Sequence, residues 1–170
     1  MTKHKQYSLL FIGLILLTFS GCKSSAPKRD YKTLVNAAKR LGVEIDLKDD
    51  PVLYVEASTW IGTPYRSGGN NRRGVDCSGF TRQLYNSVYR KKLTRTTGGQ
   101  QQQARRVAKR NLREGDLLFF SSNRSGRKVA HVGIYLKDDL FIHASTSRGV
   151  IVSNLKSKYY RQHWLHGGRI

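Results

Sequence analysis

Val129-Ala130-His131-Val132-Gly133-Ile134-Tyr135-Leu136 and Leu140-Phe141-Ile142-His143-Ala144-Ser145, joined by Lys137-Asp138-Asp139, read as the two strands of a hairpin, and the fold turns on this stretch. β-branched and aromatic residues fill both runs, and the polar trio between them suits a turn. With a three-residue loop, Leu136 opposes Leu140, His131 opposes Ser145 and Gly133 opposes His143. The histidines then share a face as diagonal neighbours, with Cβ atoms about 7 Å apart and rings able to meet. A two-residue loop would send them to opposite faces. Two same-face histidines in a core-forming hairpin are costly unless they are paired or used.

Further strands are expected over 116–121, 149–153 and 164–169. Upstream the period is helical: Val52, Val55, Ala57 and Trp60 mark a helix from about Pro51 that stops before Gly62-Thr63-Pro64. A loop over 65–74 comes next, rich in residues that tolerate positive φ. Beyond it lie a helix opening at Phe80, Leu84 and Val88 and a polar helix near Gln100–Lys109, with Gln100 to Gln103 read as exposed. Helices first and strands second predict an α+β domain.

Cys77 stands where that second helix opens, in Val75-Asp76-Cys77-Ser78-Gly79-Phe80. Its sulfur is aimed at a helix N-terminus, where unpaired N–H groups and the macrodipole favour thiolate, so Cys77 is a candidate nucleophile. A small buried hydrophobe is the plainer reading of a free cysteine. The two histidines favour the nucleophile.

Cys22, the other cysteine, belongs to the N-terminus. Lys3, His4 and Lys5 precede the apolar run Leu9 to Leu17, and Phe19-Ser20-Gly21-Cys22 comes after it. That order reads as a secretory signal over 1–21, too short for a comfortable membrane span. Phe19 to Cys22 resembles a bacterial lipobox, which implies cleavage before Cys22 and lipid modification of its sulfur. With Cys22 so occupied, Cys77 has no disulfide partner within the chain. The expected organisation is a signal at 1–21, a lipidated N-terminus and linker at 22–50 with a short helix near Leu34 to Leu41, and one domain at 51–170.

The balance of 31 Lys and Arg against 11 Asp and Glu gives a net charge of +20, a field that attracts polyanions. For an exported, membrane-tethered chain the expected polyanions are wall polymers or lipid headgroups. The basic residues are scattered and lack interleaved stacking aromatics, so nucleic acid is not expected, and a merely solvated basic surface is an equal reading.

Trp60 to Gly69, Gly74 to Phe80, Gly115-Asp116-Leu117, Ala130 to Tyr135 and Phe141 to Ser145 together resemble the NlpC-type cell-wall cysteine peptidase family. The resemblance covers most of 51–170, with the blocks in order. It implies a papain-like fold with a nucleophile helix packed on an antiparallel sheet. It also implies hydrolysis of amide bonds in peptidoglycan stem peptides, typically between D-glutamate and a diamino acid or at a D-alanine cross-link. Carried over by motif, Cys77 matches the nucleophile, His131 the general base, His143 the polar third member and Tyr65 the tyrosine near the oxyanion. The chain departs from the family pattern at Thr94, where proline is usual.

In such a site His131 takes the Cys77 proton, the thiolate attacks the scissile carbonyl, and the imidazolium returns a proton to the leaving amine. His143 holds the tautomer and orientation of His131, and the Cys77 amide with the Tyr65 hydroxyl forms an oxyanion hole. Asp76 and Ser78 are candidates to hold a substrate amine, with helix capping an equal role for Asp76. Arg66 and Arg95 are candidates to meet substrate carboxylates, against a solvated-surface reading. The chemistry requires no cofactor and no metal. Other readings stay open: a zinc site of Cys77, His131 and His143, a catalytically silent wall-binding lipoprotein, and a papain-like amidase or acyltransferase.

Overall fold

The computed structural model describes residues 31–123, 126 and 128–170. The expected signal at 1–21, the lipidated Cys22 and the spacer at 23–30 lie outside the described residues. Two helices come first, α1 (Tyr31–Leu41) and α2 (Pro51–Trp60), packed on one another. Asp50 caps α2 by accepting from the Val52 and Leu53 amides, and Pro51 sits in the first turn, where its missing N–H is harmless. Leu41 and Val43 belong to the main core, so part of the stretch read as linker is packed with the domain.

A two-rung hairpin, β1 (Asn70–Asn71) and β2 (Gly74–Val75), occupies the expected loop and delivers the chain to α3 (Cys77–Tyr89). The polar helix is shorter than its sequence suggests. It forms α4 (Thr97–Gln103) and gives way to β3 (Arg105–Val107), followed by a 3-10 turn at Lys109–Asn111. Arg105, Arg106 and Val107 pair with Arg169, Gly168 and Gly167, and this strand pairing wins over local helix preference. Then come β4 (Leu117–Phe120), β5 (His131–Tyr135), β6 (Leu140–Ser145), β7 (Gly149–Asn154), an unanticipated short helix α5 (Lys158–His163), and β8 (Trp164–Arg169).

Six strands form one antiparallel sheet in the order β3-β8-β4-β5-β6-β7, so the fold is the expected α+β arrangement. The decisive hairpin has the three-residue loop. Ile134 pairs with Ile142, Tyr135 with Phe141, and the Leu136 amide donates to the Leu140 carbonyl at 2.9 Å. Asp138 and Asp139 turn the chain with φ of 51° and 61°, a region that aspartate tolerates better than most residues. Lys137 anchors the loop to the α1–α2 connection, its Nζ lying 2.6 Å from carboxylate oxygens of both Asp46 and Asp49.

Alternation then divides the sheet. Leu117, Phe119, Val132, Ile134, Ile142, Ala144 and Val150 face α2 and α3, where they meet Leu53, Ala57, Trp60, Phe80 and Leu84 in the larger core. Leu118, Phe120 and Phe141 face the other way and pack with Leu155, Tyr160 and Trp164 in a smaller one. His131 and His143 belong to this second face by alternation, whereas Cys77 belongs to the first.

Gly149 joins the two halves. Its φ is 69°, and a Cβ placed on it would lie 2.3 Å from the Thr63 carbonyl oxygen, which also accepts from the Val150 amide. Gly149→Ala combines left-handed strain with a backbone collision and is expected to destabilise the domain by about 2 kcal/mol or more, read as a lower urea midpoint. An unchanged midpoint would contradict this account of the β6–β7 junction.

Candidate active site

Asp76 is the N-cap of α3, and its Oδ1 accepts from the Gly79 amide at 2.7 Å. The Gly68 amide donates to its Oδ2 at 2.9 Å. Arg95 grips the same carboxylate with both arms, Nη1 to Oδ1 at 2.9 Å and Nη2 to Oδ2 at 2.7 Å. Burial works against ionisation of Asp76, yet Arg95 and the two glycine amides hold its carboxyl below the ordinary range. Ser78 is buried, and its hydroxyl lies 3.0 Å from Arg95 Nη1. Arg95 is therefore committed within the protein, and the reading that gave it a substrate carboxylate is corrected. Arg66 is exposed, its stem lying over Gly74.

The glutamine run also differs from its expected exposure. Gln100 is fully buried and ties α3 to the segment before α4, donating to the Ser78 carbonyl at 2.9 Å and the Thr94 carbonyl at 3.0 Å while accepting from Thr81 Oγ1 at 2.7 Å. Where the family pattern has proline, the Thr94 amide donates to Gln103 Oε1 at 3.1 Å, a bond proline could not make.

These brackets hold Cys77 as the first residue of α3, 8% exposed, with Sγ 3.6 Å from Thr97 Oγ1. Burial pushes the thiol pKa up, and the Asp76 charge adds to that push. The Thr97 hydroxyl and the Val132 and Ser78 amides pull the other way without reversing it. The sulfur thus lies against β5 at Val132, the residue after His131. Burial thus opposes the thiolate that the helix N-terminus favours. Tyr65 is half-buried beside the thiol, and burial followed by the Cys77 and Asp76 charges raises its hydroxyl pKa.

The histidines meet as the register requires. His131 Nε2 lies 2.8 Å from His143 Nδ1, with the rings perpendicular. His143 Nε2 lies 3.0 Å from both Ser153 Oγ and the Tyr160 hydroxyl, and the ring stacks on Phe141. In one of the two tautomer sets that these contacts allow, His131 donates from Nε2, and His143 accepts at Nδ1 and donates from Nε2. That leaves His131 Nδ1 as an acceptor. Burial lowers the His131 pKa to about 4, and burial, the neighbouring His131 and Arg148 lower that of His143 well below its usual value. At neutral pH the rings are uncharged.

Thr97, Ser153 and Tyr160 were not read as site residues in the sequence, and Gln100 was read only as part of an exposed run. Ser153 was within reach, since it shares a face with His143 on the adjoining strand, but Tyr160 sits on a helix too short to leave a periodic signal. No cluster of three His, Cys, Asp or Glu among the described residues is arranged to hold a metal ion.

A family model described as NlpC/P60 matches residues 62–169. The chain belongs to the NlpC/P60 family. A relative from Haemophilus influenzae, a probable endopeptidase NlpC homolog, is 36% identical over 143 residues, which span 84% of this chain and 75% of the relative. Another from Escherichia coli, named murein DD-endopeptidase MepS/murein LD-carboxypeptidase, is 33% identical over 150 residues, 88% of this chain and 75% of its own. The solved NlpC/p60 domain of the peptidoglycan hydrolase SagA superposes with a TM-score of 0.60 at 31% identity, covering 70% of this chain and 97% of that one. The NlpC/P60 match spans α3, β5 and β6, the elements that carry Cys77, His131 and His143.

A buried neutral thiol makes a testable signature. Alkylation of Cys77 by iodoacetamide is expected to be slower at pH 7 than for an ordinary cysteine and to rise about tenfold per pH unit through pH 9. A rate that stays flat between pH 5 and 8 would instead reveal a resting thiolate–imidazolium pair.

Proposed function

We propose that this NlpC/P60 protein is a cell-wall endopeptidase of the cysteine type that hydrolyses amide bonds in peptidoglycan stem peptides, with Cys77 as nucleophile, His131 as base and His143 as the residue that orients it. The observation that carries the reading is the 2.8 Å contact between His131 Nε2 and His143 Nδ1, which leaves Nδ1 for the thiol lying against the next residue, Val132. The murein-directed names of the relatives support the substrate class.

The proton moves from Sγ to His131 Nδ1 as sulfur closes on the carbonyl carbon, so the charged pair arises only when substrate is present. The Cys77 amide, at the first position of α3 with no intrahelical partner, and the Tyr65 hydroxyl receive the developing oxyanion. An imidazolium whose parent pKa is depressed surrenders its proton readily to the leaving amine, and water then releases the acyl group. Asp76 and Ser78 fix the α3 terminus, and a substrate amine would be held by the same pair; Arg66 stands at the exposed rim. The bond proposed is of the D,L type, between D-glutamate and the diamino acid. A signal at 1–21 and a lipid on Cys22 would export the chain and tether it to the envelope membrane, where its basic surface meets anionic wall polymers or lipids.

Sacculi digested with the full chain and analysed by mass spectrometry are expected to release peptides that begin at the diamino acid, leaving D-glutamate as the new carboxyl end on the glycan. Cys77→Ala is expected to release none, and His131→Ala to slow release by about 100-fold or more, with a smaller loss for His143→Ala. Stem peptides freed from their cross-link with the bond after D-glutamate intact would move the cut to the cross-link. Intact sacculi that retain bound protein would favour a silent binder.

A further inference from the structure

A cavity of about 630 Å³ opens on the sheet face opposite α3. Its lining includes both histidines, and among the described residues it draws no side chain from α3. Residues 145–148, at the end of β6 and in the turn to β7, form one wall, and α5 supplies Tyr159 and Tyr160. Among the described residues the lining is rich in hydroxyls and holds one guanidinium, that of the exposed Arg148, and no carboxylate. Among the described residues no acidic side chain forms an ion pair with Arg148, in contrast to Arg72, Arg95 and Arg169, each of which is matched to a carboxylate.

Resting on the peptidase reading above, we propose that this cavity receives the residue that carries the leaving amine, and that Arg148 is a specificity-determining residue that binds a free carboxylate on it. The acyl side of the scissile bond is set by Cys77 and Tyr65 at the α3 terminus. The leaving nitrogen must stand beside His131, which protonates it, and the remainder of the residue bearing that nitrogen enters the space His131 lines. A hydroxyl-rich wall whose described residues include the Arg148 guanidinium and no acid recognises an anion, and the guanidinium fork fits a carboxylate with two parallel bonds. The half-exposed Tyr159 gives the aliphatic part of the residue an apolar wall. Arg148 also lies close enough to help hold His143 uncharged, so its substitution could act through the ring instead of the ligand. The test separates the two.

The full chain bearing Cys77→Ala is titrated with L-alanyl-γ-D-glutamyl-diaminopimelate and with the same peptide carrying carboxamides on the diaminopimelate. The carboxylate peptide is expected to bind about tenfold more tightly or better, and Arg148→Gln in the same background to bind both alike. Arg148→Lys, which keeps the charge and loses the fork, is expected to fall between. Equal binding of the two peptides to the Cys77→Ala chain, or binding of neither, would overturn the proposal, as would a preference that survives in Arg148→Gln. Cleavage by the unsubstituted chain is measured in parallel: discrimination by Arg148 without any cleavage would sink the peptidase reading and leave the carboxylate site standing.

Discussion

The register of the β5–β6 hairpin is the constraint from which the site is built. Three loop residues, two of them aspartates in the left-handed region, set Leu136 against Leu140 and bring the two imidazoles to a 2.8 Å contact. One residue more or less would flip every side chain of one strand, placing an imidazole among Phe80, Leu84 and Ile142 and an aliphatic chain in the cleft. Burial punishes that slip on both faces at once. The loop is also tied from outside: Lys109 and Lys156 reach Asp139, Lys137 reaches Asp46 and Asp49, and the Leu155 amide donates to the Asp139 carbonyl at 2.8 Å. Exposed ion pairs of this kind contribute little singly. Here they act on one short loop, together with the backbone bond.

Cys77 is fixed by a different device. The α3 terminus is gripped by Arg95 through Asp76 and by Gln100 through the Ser78 carbonyl, and both partners come from residues 94–103. That segment also supplies Thr97 to the sulfur. The thiol position therefore depends on a stretch with little apolar content whose Arg95, Thr97 and Gln100 side chains are spent on the helix they face. This is how a residue on the helix side and two on the far side of the sheet are referred to one edge, at the first residues of β5.

The sequence showed the α3 and hairpin motifs because their signals are local. Alternation in 129–145, the run of capping and small residues around Cys77, and the early helices with late strands each depend on neighbours within a few positions. What escaped it depends on distant partners. Arg105 to Val107 continue a helical composition and become a strand only because β8 offers an edge. Gln100 looks like surface until the Ser78 and Thr94 carbonyls surround it. Arg95 reads as a free cation until Asp76 is found 19 residues back in the chain and one hydrogen bond away in space. The burial that raises the thiol pKa escaped for a related reason: a helix N-terminus is visible in a sequence, whereas the depth of burial that opposes it is not.

Burial of the site has a chemical consequence. With the thiol pKa raised and the His131 pKa lowered to about 4, the neutral pair is favoured at rest and the charge-separated pair is not. In a low-dielectric setting separated charge is tolerated only when each charge is met by a partner. In the mechanism proposed above the bound substrate changes that: the negative charge that begins on sulfur passes to the carbonyl oxygen, where helix N–H groups would receive it, while the positive charge on His131 would face His143 and the hydroxyls of Ser153 and Tyr160 behind it. In that mechanism reactivity would be tied to occupancy, the resting sulfur being protonated and shielded by burial.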